Sequence, residues 1–215
     1  MENPEKEDYT FDGWFTSQTG GSKVTADTTV TASGNHTLFA HWTVISYTVT
    51  FNANGGTCST ESKKVTYDQQ YGDLPTPTRT GYKFTGWSPL AEAGNDSYIY
   101  GWDYYTQDSD STLYAQWSPV RYTVTLNANG VTCDTASQSV TYNSTYGTLP
   151  TPTRTGYTFA GWYTAASGGT KITASSKYTT AAASTLYAHW TAKTIKVTFH
   201  RNTSSTDTLA SSETF

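Results

Sequence analysis

LPTPTRTGYKFTGW, Leu74 to Trp87, and LPTPTRTGYTFAGW, Leu149 to Trp162, are near-copies that lie 75 positions apart. In each, two prolines stand two residues apart, which biases the backbone toward extended or polyproline geometry. A glycine free to take positive φ follows, just before an aromatic GYxFxGW run. The stretch reads as a corner that leads into a strand, and its recurrence reads as a repeat.

Working outward, the copy begins at YTVTFNANGG, Tyr47 to Gly56, and YTVTLNANGV, Tyr122 to Val131, and closes on STLYAQW at Trp117 and STLYAHW at Trp190. From Tyr47 to Trp87 and Tyr122 to Trp162 the copies are identical at roughly seven positions in ten. Both chain ends are pieces of the same unit. Tyr9 to Trp42 aligns without a gap on Tyr157 to Trp190, and IKVTF, Ile195 to Phe199, opens a further copy. The expected organisation is 1–46 as the second half of a repeat, 47–121 and 122–194 as complete repeats, and 195–215 as the start of another. Such a chain is expected to be a piece of a longer array.

Within a copy the pattern has period two. Tyr47, Val49 and Phe51 share one face and Thr48, Thr50 and Asn52 the other, as half-buried strands require. The Asn-Gly of NANG predicts a tight turn into the next strand, about Lys64 to Tyr67 or Ser139 to Tyr142, and Ser167 to Gly169 predicts a second turn. Composition agrees: 35% hydrophobic but 15% aromatic, with 17 Tyr and 7 Trp and only 14% charged residues. Threonine and aromatic residues suit a pleated surface, so the fold class is mainly β, with a small α+β unit as the variant. The net charge of -4 and the lack of clustered Lys or Arg argue against nucleic acid. No stretch reaches the roughly 18 apolar residues of a membrane span. Cys58 and Cys133 occupy one equivalent site in two copies, without metal spacing.

YTVTFNANGG, a following Tyr-Gly, LPTPTRTGYTFAGWYT and a final LYAHW resemble the Listeria-Bacteroides repeat, or internalin B-repeat, of bacterial surface proteins. The resemblance covers essentially the whole chain. It implies tandem small β-grasp-like domains in an elongated, monomeric array, secreted or attached to the cell wall, with spacer, adhesion or protein-binding roles. The family brings no catalytic or ligand-binding motif to carry over.

Drift between copies tests chemistry. His41 and His189 precede the closing Trp, but Gln116 holds that place in the middle copy, and a general base that can be glutamine is no base. Glu61, Asp68 and Asp73 become Ala136, Asn143 and Thr148. No catalytic residue, cofactor or metal is expected. GGTK, Gly168 to Lys171, lacks the upstream glycine of a phosphate loop, and LPTPT has Pro and Thr where a sortase signal has Thr and Gly.

One segment departs from the pattern. SPLAEAGNDSYIYGWDYYTQDSD, Ser88 to Asp110, is two residues longer than its counterpart and carries Tyr98, Tyr100, Trp102, Tyr104 and Tyr105. Such rings stack on a glycan or anchor a host or cell-surface protein, or they fill the core of a small domain poor in aliphatics. Both readings stand from sequence alone.

Overall fold

The computed structural model describes residues 3–92, 97–200 and 208–214, and its described elements are strands and turns without a helix. The first sheet holds β1 (Tyr9–Phe15), β2 (Lys23–Val24) and β3 (Phe39–Val44). The middle copy forms β4 (Ser46–Asn52), β5 (Ser62–Thr66), β6 (Tyr82–Ser88) and β7 (Ser111–Pro119), in the order β5-β4-β7-β6. The next copy forms β8 (Arg121–Asn127), β9 (Ser137–Thr141), β10 (Tyr157–Tyr163), β11 (Lys171–Ile172) and β12 (Ser184–Ala192), ordered β11-β10-β12-β8-β9. A hairpin of β13 (Thr194–His200) and β14 (Thr208–Thr214) follows, paired from Thr194↔Thr214 to His200↔Thr208. The chain divides into two compact units, Met1–Arg79 with Phe84–Trp117, and Thr80–Lys83 with Ser118–Phe215.

In each complete sheet the first and last strands run parallel at the centre. Val49↔Ser111 to Asn52↔Tyr114 has its match in Val124↔Ser184 to Asn127↔Tyr187. Being central, β4 and β8 bury alternate residues completely: Val49 and Val124 are 0% exposed, while Thr50 and Thr125 face solvent. The period-two reading of these strands therefore holds. The N-terminal sheet has no such partner for β3, and accordingly no described residue before Val49 is fully buried.

The Asn-Gly turn forms, with Asn54 at φ 47° and Gly55 at φ 85°, and β4 pairs antiparallel with β5, as β8 does with β9, through a connection longer than the turn itself. Residues 53–61 separate β4 from β5, and 128–136 separate β8 from β9. The cause lies in the two asparagines. Asn52 Oδ1 accepts the Asn54 amide N–H at 2.9 Å, and Asn54 Nδ2 donates to Ala115 O at 3.1 Å, tying the turn to the closing strand. The closing Trp117 then donates Nε1–H to Ala53 O at 3.0 Å, as Trp190 does to Ala128 O. NANG and LYAxW recur together because each supplies the other's hydrogen-bond partner.

The proline corner is held in the same way. Pro77 and Pro152 are buried, and Pro75 O and Pro150 O accept the indole N–H of Trp87 and Trp162 at 2.8 and 2.7 Å. In the middle copy the chain after the turn also pairs with the corner, Thr57 and Thr78 exchanging both backbone bonds at 2.8 Å. That approach needs Gly56, whose added Cβ would sit 2.6 Å from Thr78 O. The third copy has Val131 there, and its Thr132 and Thr153 form no bridge. Gly56→Val is therefore expected to abolish amide-exchange protection at Thr57 and Thr78 and to cost about 1–3 kcal/mol.

Candidate functional site

Alignment by backbone bonds, rather than by sequence, shows what the divergent segment is. In the third copy Thr173 to Tyr178 makes a turn in which Ser176 N–H donates to Thr173 O at 3.1 Å and Ser176 Oγ accepts Thr173 N–H at 3.0 Å. In the first, Thr28 N–H donates to Thr25 O at 3.1 Å and Thr28 Oγ1 accepts Thr25 N–H at 2.9 Å. In the middle, Asp103 N–H donates to Tyr100 O at 3.0 Å and Asp103 Oδ2 accepts Tyr100 N–H at 2.8 Å. These are three versions of one side-chain-capped turn. Its flank is also conserved between the complete copies: Gly72 N–H donates to Gly101 O as Gly147 N–H does to Ala174 O.

The five aromatic residues of the segment fall into distinct places on this turn. Tyr105 is 0% exposed and corresponds to Tyr178, also buried. Each phenol donates to a main-chain carbonyl, Ser109 O or Ala182 O, beneath the sheet. Tyr105 is a core residue closed off from any ligand, because its side chain fills the space between Tyr47 and Tyr71. Tyr98 lies over Gly86, where a Cβ would come within 2.6 Å of its ring, as the Lys171 stem lies over Gly161. Tyr104 is 56% exposed on the outer side, its backbone bridged to Gln70.

Tyr100 and Trp102 remain. They are 44% and 66% exposed, and their rings stack in parallel, 4.7 Å between centroids and 4° between planes. Beside them runs an open cleft of about 580 Å³ whose lining includes Gln70, Asp73, Thr76 and Thr85. Among the described residues no lysine, arginine or histidine lines it. Part of the two-residue extension falls at residues 93–96, outside the described residues.

Beneath the turn, burial raises the pKa of Tyr71, helped by the neighbouring Tyr105 phenol and by Asp103, and Tyr146 is raised by burial and by Tyr178. A phenol whose pKa is higher folded than unfolded contributes stability that is complete below the unfolded value of about 10 and is lost as pH climbs through the raised value. Phenolate absorbance at 295 nm is expected to appear in two stages, the later one coinciding with loss of near-ultraviolet circular dichroism.

The positions that drift in sequence turn out to share a structural task. His41 and His189 each place Nε2 2.9 Å from a turn carbonyl, Ser17 O and Ala165 O, and Gln116 donates from Nε2 to the equivalent Leu90 O at 2.8 Å. Each clips the closing strand to the turn after the GW strand. Cys58 and Cys133 are free, half-buried thiols packed against their respective cores. Among the described residues no group of three or more His, Cys, Asp and Glu side chains could hold a metal ion, and no helix is long and apolar enough to cross a membrane.

Comparison with known proteins matches the Listeria-Bacteroides repeat domain three times, at residues 1–41, 47–116 and 122–189. Internalin H of Listeria monocytogenes is 37% identical over 118 residues, 54% of this chain and 20% of that protein. A candidate membrane protein of Evansella cellulosilytica is 31% identical over 206 residues, 90% of this chain and 29% of its own length. A Gly-rich candidate membrane protein of the same organism is 32% identical over 173 residues, 74% of this chain and 18% of that protein. The chain thus spans less than a third of the length of each of these relatives.

Proposed function

The chain belongs to the Listeria-Bacteroides repeat family, and from that premise we propose that it is a non-catalytic segment of a bacterial surface or secreted protein, serving as a semi-rigid spacer with adhesive or protein-binding faces. The observation that supports the spacer is the repeated joint. A single residue separates β3 from β4, β7 from β8 and β12 from β13. In all three the N–H of that residue is bonded to the carbonyl just before a GYxFxGW-type strand: Ile45 to Asp8 O, Val120 to Gly81 O, and Lys193 to Gly156 O, each at 2.8–2.9 Å. The connecting residue's amide is thus engaged at every joint, as expected of a spacer without a loose linker.

Trypsin tests this directly, because Arg121 and Lys193 lie at two of the joints and carry exposed side chains. Limited digestion is expected to cut at loop sites well before either joint. First cleavage at Arg121 and Lys193 would contradict a semi-rigid spacer. The surface location rests on the relatives, and antibody labelling of intact cells of the source bacterium checks it. Repetition of weakly adhesive faces along one chain adds avidity without any new contact.

A further inference from the structure

We propose that the Tyr100–Trp102 stack and the cleft beside it form a binding site for a neutral, pyranose-based oligosaccharide. The inference is independent of the spacer role, since it requires only the turn and its side chains.

The first reason is that the fold has no use for these rings. The same capped turn is built in the first copy with Thr25 and Asp27, and in the third with Thr173 and Ser175, at the positions of Tyr100 and Trp102. All four of those residues are exposed and polar. The core aromatic of the turn, Tyr178, is retained in the middle copy as Tyr105. Tyr100 and Trp102 are therefore additions to an already complete structure, and they expose large apolar faces that water disfavours.

The second reason is that the platform is set before any ligand arrives. Asp103 fixes the turn by its two bonds to Tyr100, and Gly101 presses against the neighbouring chain so closely that a Cβ would lie 2.7 Å from Gly72 O. The parallel stack leaves few side-chain rotamers to freeze on binding.

The third reason is the chemistry of the cleft. Its rim offers the Gln70 amide, the Asp73 carboxylate and the Thr76 and Thr85 hydroxyls. Among the described residues the ionisable lining side chains are Asp73 and the Tyr100 phenol, with no cation among them. Lys63 Nζ stands at the edge of the cleft but is already bonded to Tyr71 O and, at 3.0 Å, to Asp73 O, so an anionic polymer would meet the Asp73 carboxylate and no lining cation. A neutral sugar presents an apolar C–H face to the rings and hydroxyls to the carboxylate and amide, which matches both halves of the surface.

The test uses the full chain with cellohexaose, mannohexaose and chitohexaose, followed by calorimetry and tryptophan fluorescence. At least one is expected to bind with a dissociation constant below about 10 mM. Tyr100→Thr with Trp102→Ser installs the residues that the third copy carries on the same turn. It is expected to weaken binding at least tenfold while leaving the melting temperature nearly unchanged. The reverse transplant, Thr173→Tyr with Ser175→Trp, is expected to raise the stoichiometry. Three results would overturn the proposal: no binding of any of the three sugars, binding indifferent to the Tyr100 and Trp102 changes, or tighter binding of a sulfated heparin oligosaccharide. Retention of a protein ligand through Trp102 without any sugar binding belongs with the first of these.

Discussion

Trp162→Ala is expected to lower the unfolding free energy of the second unit by about 3–5 kcal/mol, a large share of the roughly 5–15 kcal/mol that holds a domain together. The side chain is 2% exposed, packs edge-on against Phe159 at 5.7 Å between centroids, and donates to Pro150 O at 2.7 Å. Truncation removes the largest buried surface in a core otherwise made of Val124, Leu126, Val140, Tyr178, Leu186 and Ala188. It also strips the proline corner of its donor. Trp162→Phe separates the two effects, because it retains most of the ring and loses only the bond, at about 1–2 kcal/mol. Trp14 is the internal control. It holds the same place in β1, but its Nε1 has no partner among the described residues and the sheet around it lacks a fully buried core. Trp14→Ala should cost much less. Urea denaturation followed by circular dichroism measures all three, and equal losses at Trp14 and Trp162 would refute the role assigned to the proline carbonyl.

The same contrast explains what could be read from the sequence. Strand alternation and the corner role of LPTPTRTGY were legible because each depends on local chemistry: period two, fixed proline φ, and glycines that reach φ 78° and 79° at Gly81 and Gly156. The parallel pairing of β4 with β7 was not, since strands more than 60 residues apart carry no local mark of their partner. The Asn-Gly turn and the pairing of β4 with β5 were legible, but the bond from Asn54 to Ala115 O on a distant strand was not, since no local pattern marks it. In the aromatic segment one signal was available. Counting back from STLYA, Tyr105 and Tyr178 both stand six residues before the serine, Ser111 or Ser184, which separates the core tyrosine from its exposed neighbours. The same count sets Tyr100 and Trp102 opposite Thr173 and Ser175, but that the two rings stack, and that they stand on a turn with the same bonds, became visible only in the fold.

Gly81→Ala is the second change expected to be severe, at about 2–5 kcal/mol, and its parts can be measured apart. Gly81 is buried at φ 78°, and its carbonyl accepts Val120 N–H at 2.9 Å. The left-handed backbone alone costs an alanine about 1–2 kcal/mol. A Cβ would also fall inside the van der Waals surface of the Tyr142 ring, which stands edge-on to Tyr82 at 5.5 Å between centroids. Moving either ring or backbone in so close a contact adds about 1–3 kcal/mol. Gly147 provides the comparison, with φ 72° and nothing within 4 Å of its would-be Cβ, so Gly147→Ala should show the backbone cost alone. Adding Tyr142→Ala to Gly81→Ala removes the obstacle. The double variant should then be more stable than the sum of the single losses predicts, by about 1–2 kcal/mol of coupling. Strict additivity would show that backbone conformation, not the tyrosine, fixes glycine at this position. Asp8 indicates which outcome to expect. It occupies the equivalent position at φ 62°, which aspartate tolerates better than most residues, so the conformation by itself does not demand glycine. What distinguishes Gly81 is the ring of Tyr142 against it.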